Sequence, residues 1–158
     1  MGHHTEISKI MTRAVAQVES SETLEKAYII MRELQISYLP VMVRQILVGV
    51  LAKQDVMLHA TKQDGHMFIP NLPVIEMMRR NVPIVPPSCN IKKAAEILLS
   101  QELQCLLVMS EDQLVGIVTS SDFLKFIANG SESELLQAGT SELYKFAYYV
   151  PRKIPNAI

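Results

Sequence analysis

Apolar and polar residues alternate along the chain in a pattern that occurs twice. In each half, apolar residues at helical spacing precede two short and nearly continuous apolar runs. The spacing i, i+3, i+4, i+7 predicts amphipathic helices that begin at Leu24 and at Ile91. The apolar runs predict strands at 39–43, 47–51, 105–109 and 114–118. Because these strands are apolar throughout, we expect both faces of each sheet to be covered.

The two halves are copies of one sequence unit. When the chain is shifted by 67 residues, positions 7–60 align with 74–127 without a gap, and fifteen of the 54 aligned positions are identical. Asp55 and Asp122 form one of the identical pairs. Because one such unit often cannot bury its own apolar face, the repeat predicts that the copies pack together. Each copy reads β-α-β-β-α, which predicts an α+β fold with pseudo-two-fold symmetry.

The remaining segments are a linker and a tail. Asp64 and Gly65 predict a turn in the linker, followed by an extended lead-in to the second copy. Apolar residues at helical spacing before Pro151 predict a helix in the tail, which either docks on the repeats or binds a partner. The predicted divisions are repeat one at 7–60, the linker at 61–73, repeat two at 74–128 and a helical tail at 129–158.

Composition and charge exclude several classes of function. The 158 residues are 49% hydrophobic and 20% charged, and the net charge of −1 gives no reason to expect nucleic acid or an anionic membrane surface as a partner. No apolar run approaches the ~20 residues of a membrane span. Cys89 and Cys105 form no C-x-x-C motif and suit a reducing compartment, so we predict a cytoplasmic protein. We find no nucleophile–base motif and no metal-ligand spacing, and therefore predict neither catalysis nor a metal site.

The most informative polar residues follow the predicted strand at 114–118. Thr119 comes directly after this strand, and Asp122 lies in the first turn of the next predicted helix. A helix N-terminus suits a phosphate, and the hydroxyls of Thr119 and Ser121 add donors. Asp122 suits the paired hydroxyls of a sugar, so these residues together indicate a nucleotide. Thr119 and Asp122 also match a capping box, which needs no ligand, and both interpretations stay open.

The whole repeated pattern resembles a known family. The first copy contains Ile-Met-Thr-Arg at 10–13, Tyr-Leu-Pro-Val at 38–41, Val-Gly-Val-Leu at 48–51 and Asp55. Repeated as above, these segments resemble the cystathionine-β-synthase (CBS) domain, and the tandem resembles a Bateman module over residues 7–128. The resemblance implies a regulatory module, not an enzyme, that binds adenosine-type ligands such as AMP, ADP, ATP or S-adenosylmethionine. It also implies a homodimer.

The resemblance further implies two symmetry-related clefts, each built from both repeats. In the first cleft Asp122 would bind the ribose, with Thr119 and Ser121 near the phosphate. Repeat one would add residues from its lead-in and from the approach to its first core strand, namely Thr12, Ala14, Ala16, Ile36, Ser37, Tyr38 and Pro40. The second cleft would contain Asp55 and Ala52, the segment 79–84 with Arg80, Val82 and Ile84, and the residues Leu103, Gln104 and Cys105.

The two clefts differ at the position that ends the strand. The first cleft has Thr119 there, three residues before Asp122, whereas the second has Ala52 before Asp55 and lacks the hydroxyl. We therefore expect the ligand in the Asp122 cleft, and AMP foremost because few basic residues accompany it. The alternative is a ligand-free module that serves dimerisation or binds a regulated protein. The state of the Asp122 side chain separates these two interpretations.

Overall fold

The computed structural model describes residues 4–130, which form two repeated units joined by a hairpin. The first unit contains β1 (Val18–Glu19), α1 (Leu24–Glu33), β2 (Tyr38–Val43), β3 (Ile46–Ala52) and α2 (Lys53–His59). The hairpin contains β4 (Thr61–Gln63) and β5 (His66–Phe68). The second unit contains β6 (Ile84–Val85), α3 (Ile91–Leu99), β7 (Cys105–Ser110), β8 (Gln113–Thr119) and α4 (Ser120–Asn129). From position 131 onward, the predicted tail lies outside the described residues.

Each unit contains one three-stranded sheet with the same topology. In the first sheet β1 pairs parallel with β2, and β2 pairs antiparallel with β3. The second sheet repeats this arrangement with β6, β7 and β8. Both antiparallel turns have two residues with positive φ, as type I′ hairpin turns require. The predicted α+β fold with two β-α-β-β-α repeats is therefore confirmed.

The first helix of each unit begins at the predicted residue and covers its sheet with an apolar face. The Thr23 side chain accepts a hydrogen bond from the Lys26 N–H at the start of α1, and Asn90 accepts from the Lys92 N–H at the start of α3. Such caps satisfy N–H groups that have no partner within the helix. The residues that these helices bury are Leu24, Ala27, Tyr28 and Met31 in α1, and Ile91, Ala94, Ala95 and Leu98 in α3.

Each hydrophobic core includes the lead-in segment of the other repeat. Ile7 and Met11 pack into the core of repeat two, whereas Val74 and Met78 pack into the core of repeat one. Backbone hydrogen bonds follow the same exchange, because the Ile7 N–H donates to the Cys89 carbonyl at 2.7 Å and the Val74 N–H donates to the Glu22 carbonyl at 2.8 Å. Neither core is complete without the N-terminal segment of the other repeat.

Two aligned glycines lie where these lead-in segments pass over the last strand of the other sheet. A Cβ atom on Gly49 would lie 2.6 Å from the carbonyl oxygen of Arg79, whereas one on Gly116 would lie 2.5 Å from the Met11 sulfur. The Arg79 backbone cannot retreat easily, because its N–H and C=O both hydrogen-bond with Val50, at 2.8 and 2.9 Å. Only glycine permits this close approach of two backbones.

Gly49→Ala should therefore destabilise the protein more than Gly116→Ala. Overpacking of this kind costs about 1–3 kcal/mol, and the Gly49 variant should lie toward the upper end because the obstructing atom is backbone. The Gly116 variant meets mainly the Met11 side chain, which can adopt another rotamer. Urea unfolding of both variants measures the difference. Equal losses, or a larger loss for Gly116→Ala, would contradict this account of the crossing.

The segment at 61–73 contains a β-hairpin where the sequence predicts only a turn and an extended stretch. Asp64 and Gly65 form the predicted turn with φ values of 49° and 81°. The paired strands β4 and β5 are exposed along their whole length, so no alternation of buried and exposed positions marks them in the sequence. Within residues 4–130, no helix has the length and apolarity needed to cross a membrane.

Candidate functional site

A cleft of about 380 Å³ opens between the two repeats, where β2 begins and β8 ends. Seven of the ten residues predicted for the first cleft line it, namely Thr12, Ile36, Ser37, Tyr38, Thr119, Ser121 and Asp122. The cleft has five further lining residues that are not among those ten, which are Gln35, Gln104, Ile117, Ser120 and Lys125. The structure therefore brings the lead-in of repeat one together with the strand–helix junction of repeat two.

Three residues predicted for this cleft lie outside it. Ala16 packs against the core of repeat one, and Pro40 is buried within β2. Ala14 is exposed, two residues beyond the point where the lead-in pairs with β8 through Thr12 and Ile117. The positions of Ala14 and Ala16 follow from the path of the chain, since the lead-in leaves the cleft after Thr12.

The Asp122 carboxylate takes part in the N-terminal cap of α4 through one of its oxygens. Its Oδ2 atom accepts hydrogen bonds from the Thr119 backbone N–H at 2.8 Å and from the Thr119 hydroxyl at 3.3 Å. The other oxygen, Oδ1, makes no hydrogen bond within residues 4–130. Asp122 thus completes its half of the predicted capping box and still has an acceptor oxygen without a protein partner in the part of the chain described.

One hydrogen bond between the repeats and one within repeat two hold one wall of the cleft. The Gln104 backbone N–H donates to the Tyr38 hydroxyl oxygen at 3.3 Å, and the Ser120 hydroxyl donates to the Gln104 side-chain oxygen at 2.6 Å. Burial raises the pKa of Tyr38 above its ordinary value, and the phenol, which is protonated near pH 7 in either case, can donate a hydrogen bond. These contacts fix the distance between Tyr38 of repeat one and the start of α4 in repeat two.

The cleft carries little net charge. Among its lining residues, Asp122 is the single anionic side chain and Lys125 the single cationic one. A neighbouring depression of about 560 Å³ shares Ser37 and Tyr38 and contains a second lysine, Lys53. The Lys53 ammonium lies 5.8 Å from the ring centroid of Tyr28, within the range of a cation–π contact. A ligand with several phosphates would therefore meet few cations in the Asp122 cleft.

Asp55, the aspartate of the second cleft, differs from Asp122 because an arginine side chain binds it. The Arg79 guanidinium donates from Nε to Asp55 Oδ2 at 2.8 Å and from Nη2 to Asp55 Oδ1 at 2.9 Å. Its Nη1 atom donates to Glu102 Oε2 at 2.9 Å. The hydrogen bonds that the guanidinium donates to Asp55 are the largest cause of a raised Arg79 pKa. The Asp55 side chain is only 13% exposed, and the guanidinium binds both of its oxygens.

The other residues predicted for the second cleft are spread around this ion pair. Arg80 lines a cavity of about 310 Å³ beside Arg79, while Ile84 lies exposed in β6. Val82 and Cys105 pack in a small apolar cluster, and burial raises the pKa of the Cys105 thiol to about 12, so it stays protonated near pH 7. The resemblance placed Arg79 in the second cleft as part of the segment 79–84, but nothing in the sequence indicated that it pairs with Asp55. The sequence feature that could have indicated the role of Arg79 is its alignment with Thr12, because repeat two has a charged residue where repeat one has a neutral one.

The CBS domain family model matches this chain twice, at residues 7–61 and 74–129. The chain belongs to the CBS domain family. The two matches coincide with the two structural units that face each other across the clefts described above.

CBS pairs similar to this one occur in small proteins and within larger enzymes. The CBS domain-containing protein YhcV of Bacillus subtilis is 27% identical over 118 residues, which cover 73% of this chain and 81% of YhcV. The homoserine O-acetyltransferase of Methanohalobium evestigatum is 32% identical over 127 residues, which cover 78% of this chain but only 24% of that enzyme. Such a pair thus forms most of one relative and a minor part of another.

Crystal structures of other CBS pairs share the fold. The pair of protein MJ0100, in complex with 5′-methylthioadenosine and S-adenosyl-L-methionine, has a TM-score of 0.68 and 20% identity, covering 82% of this chain and all of that one. CBSX2 in complex with AMP has a TM-score of 0.65 and 23% identity, covering 78% of this chain and 96% of that one. Among residues 4–130 of this CBS pair, no group of three or more His, Cys, Asp or Glu side chains is placed to hold a metal ion.

Proposed function

We propose that this CBS pair is a cytoplasmic regulatory sensor that binds an adenosine-containing ligand, AMP foremost, in the Asp122 cleft. The difference between the two aspartates carries the proposal. Asp122 lines a cleft between the repeats and has one oxygen that is not used in the helix cap, whereas Asp55 has both oxygens bound to Arg79. The ligands of the MJ0100 pair and of CBSX2, which are all adenosine compounds, support the ligand class.

The lining residues offer a partner for each part of such a ligand. The two ribose hydroxyls would donate to Asp122, whose Oδ1 atom is free of the cap. A phosphate would lie at the N-terminus of α4, where backbone N–H groups, the Ser121 hydroxyl and Lys125 favour an anion. The apolar side chains of Ile36 and Ile117 would contact the faces of the base. A volume of about 380 Å³ falls within the range of small-ligand sites.

The charge of the cleft favours a ligand with little phosphate. Lys125 is the one cation in the lining, and the Asp122 carboxylate opposes part of its field. Triphosphate sites usually gather several cationic or metal partners around the phosphates. We therefore place AMP and uncharged or cationic adenosyl compounds ahead of ATP.

A ligand in this cleft would act by favouring one arrangement of the two repeats. It would contact repeat one through Thr12 and Ile36 and repeat two through Thr119 and Asp122. Binding shifts an equilibrium between two arrangements only by the difference in affinity for them. If a protein partner or a second copy of the chain also prefers one arrangement, the ligand would change the affinity for that partner by the same free energy.

Thermal unfolding with AMP, ADP, ATP, NAD and S-adenosylmethionine tests this proposal. A ligand at 100 times its Kd should stabilise the fold by about 2.7 kcal/mol and raise the Tm by several degrees.

Asp122→Asn should weaken binding about 10–100-fold, because hydrogen bonds to a charged group contribute about 1.5–3 kcal/mol, while the amide oxygen can still accept the cap hydrogen bond. Asp112→Asn, in the exposed β7–β8 turn, is the matched control. Unchanged affinity in the Asp122 variant would refute the ribose assignment.

A second candidate is a ligand-free module for homodimerisation or protein interaction. Two observations favour it: the Asp122 carboxylate already serves the cap of α4, and several helix-end leucines are exposed, Leu58 by 79%. Under this alternative none of the five compounds changes the Tm, and the chain elutes as a dimer in size-exclusion chromatography. A selective Tm rise with one adenosyl compound decides in favour of the sensor.

A further inference from the structure

We infer that the Arg79 guanidinium is a built-in occupant of the second cleft, so that each chain has one ligand site and not two. The inference rests on the proposed function for the nature of the ligand, but its evidence is separate. It comes from positions 12 and 79, which are equivalent in the two repeats and carry different side chains.

The backbones of these two positions are held in the same way. Thr12 exchanges two hydrogen bonds with Ile117 of β8, at 2.9 and 3.0 Å, and Arg79 exchanges two with Val50 of β3, at 2.8 and 2.9 Å. The side chain of Thr12 therefore begins at the same place relative to Asp122 as the side chain of Arg79 does relative to Asp55. The contents of the two clefts differ because of the side chains, not because of a different path of the chain.

At position 79 the side chain reaches Asp55 and binds both of its carboxylate oxygens. The guanidinium binds both oxygens of Asp55 in a bidentate pair, the geometry that arginine and carboxylate favour. The hydroxyls of a ribose would have to compete with the guanidinium for these oxygens. A neutral hydroxyl competes poorly with a guanidinium for a carboxylate that is only 13% exposed, because the bidentate pair has two charge-assisted hydrogen bonds and hydroxyls would replace them with weaker ones.

At position 12 the side chain is too short to do this. The Thr12 hydroxyl makes no hydrogen bond within residues 4–130 and simply lines the Asp122 cleft. The position equivalent to Glu102, which receives the third hydrogen bond from Arg79, is Gln35 in repeat one. Of the three charged residues in this cluster, only Asp55 has a charged equivalent in the other cleft, namely Asp122. The equivalents of Arg79 and Glu102 are the neutral residues Thr12 and Gln35.

Exchanging the two side chains should exchange the states of the clefts. Isothermal titration with AMP should give one site per chain for the wild type and two for Arg79→Thr. Thr12→Arg should reduce AMP affinity at the Asp122 cleft at least 100-fold, because the introduced guanidinium would bind Asp122. Arg32→Thr removes an exposed arginine from α1 and is the control, with an unchanged site count.

The outcomes separate this inference from the proposed function. One site in both the wild type and Arg79→Thr overturns the inference and leaves the proposed function intact. No site in the wild type but one in Arg79→Thr supports the inference and refutes the Asp122 cleft as the natural site. Two sites in the wild type, or none in either protein, overturn the inference.

A measurement without ligand keeps the inference testable if Arg79→Thr fails to fold. Thr12→Arg should melt several degrees above Thr12→Gln, whose side chain is long but neutral, because only the arginine can pair with Asp122. The difference should disappear when both variants also carry Asp122→Asn. Equal melting temperatures for Thr12→Arg and Thr12→Gln would overturn the inference.

Discussion

Neither half of the chain should fold alone when it is divided in the β4–β5 turn between Asp64 and Gly65. The first half would lack Val74 and Met78, and the second would lack Ile7 and Met11, all of which are buried in the core of the other repeat. Truncating a single buried side chain of this size costs about 2–5 kcal/mol, and whole domains are stable by only about 5–15 kcal/mol. Each fragment should therefore show no cooperative unfolding transition by circular dichroism.

An equimolar mixture of the two fragments should recover the fold and its cooperative transition. The control is the full chain with a protease site inserted in the same exposed turn, which should remain folded after cleavage. Size-exclusion chromatography separates two outcomes for an isolated fragment. A fragment dimer would replace the missing lead-in with its own aligned copy, whereas a cooperatively folded monomer would contradict the prediction.

Ile7→Ala should destabilise the protein by about 2–5 kcal/mol, although Ile7 precedes every strand and α-helix of its own repeat. Its side chain is fully buried against the apolar residues of repeat two, and the cavity left by alanine would open in that core. Ile46→Ala is the control, because Ile46 is 66% exposed at the start of β3 and its loss should change stability by less than about 0.5 kcal/mol.

The position of the damage distinguishes an exchanged lead-in from an ordinary N-terminal anchor. Amide hydrogen exchange in the Ile7→Ala variant should accelerate first in β7 and β8, because those strands lie over the cavity. If β2 and β3 lost protection instead, Ile7 would belong to the core of its own repeat, and the exchange of lead-ins would be refuted.

The repeated fold was predictable because it depends on local patterns. Helical spacing from Leu24 and Ile91, and the apolar runs that became β2, β3, β7 and β8, are encoded within short windows. The exchange of lead-ins was not predictable in this way. Ile7 and Val74 are both apolar residues that precede a strand. The residues next to them in the sequence do not indicate which of the two similar cores will bury them.

The candidate site was predictable to a similar extent. Thr119 and Asp122 were identifiable from their spacing, and the resemblance between the repeats and CBS domains implied residues of the opposite wall. The bidentate pair between Arg79 and Asp55 depends on a contact between segments that are distant in the sequence. In the sequence, the pair Arg79 and Arg80 indicates only a charged surface. The structure shows that Arg79 reaches the Asp55 carboxylate.

The exchanged lead-ins also determine when the protein can fold during its synthesis. A ribosome completes α1, β2 and β3 before it makes Val74 and Met78, so the nascent core of repeat one stays open until the next lead-in emerges. The Thr12–Ile117 bridge forms later still, since its partners lie near opposite ends of the described residues. Translation that stops before β8 would leave the core of repeat two without Val118 and Phe123, and such a chain would be a substrate for chaperones and proteases.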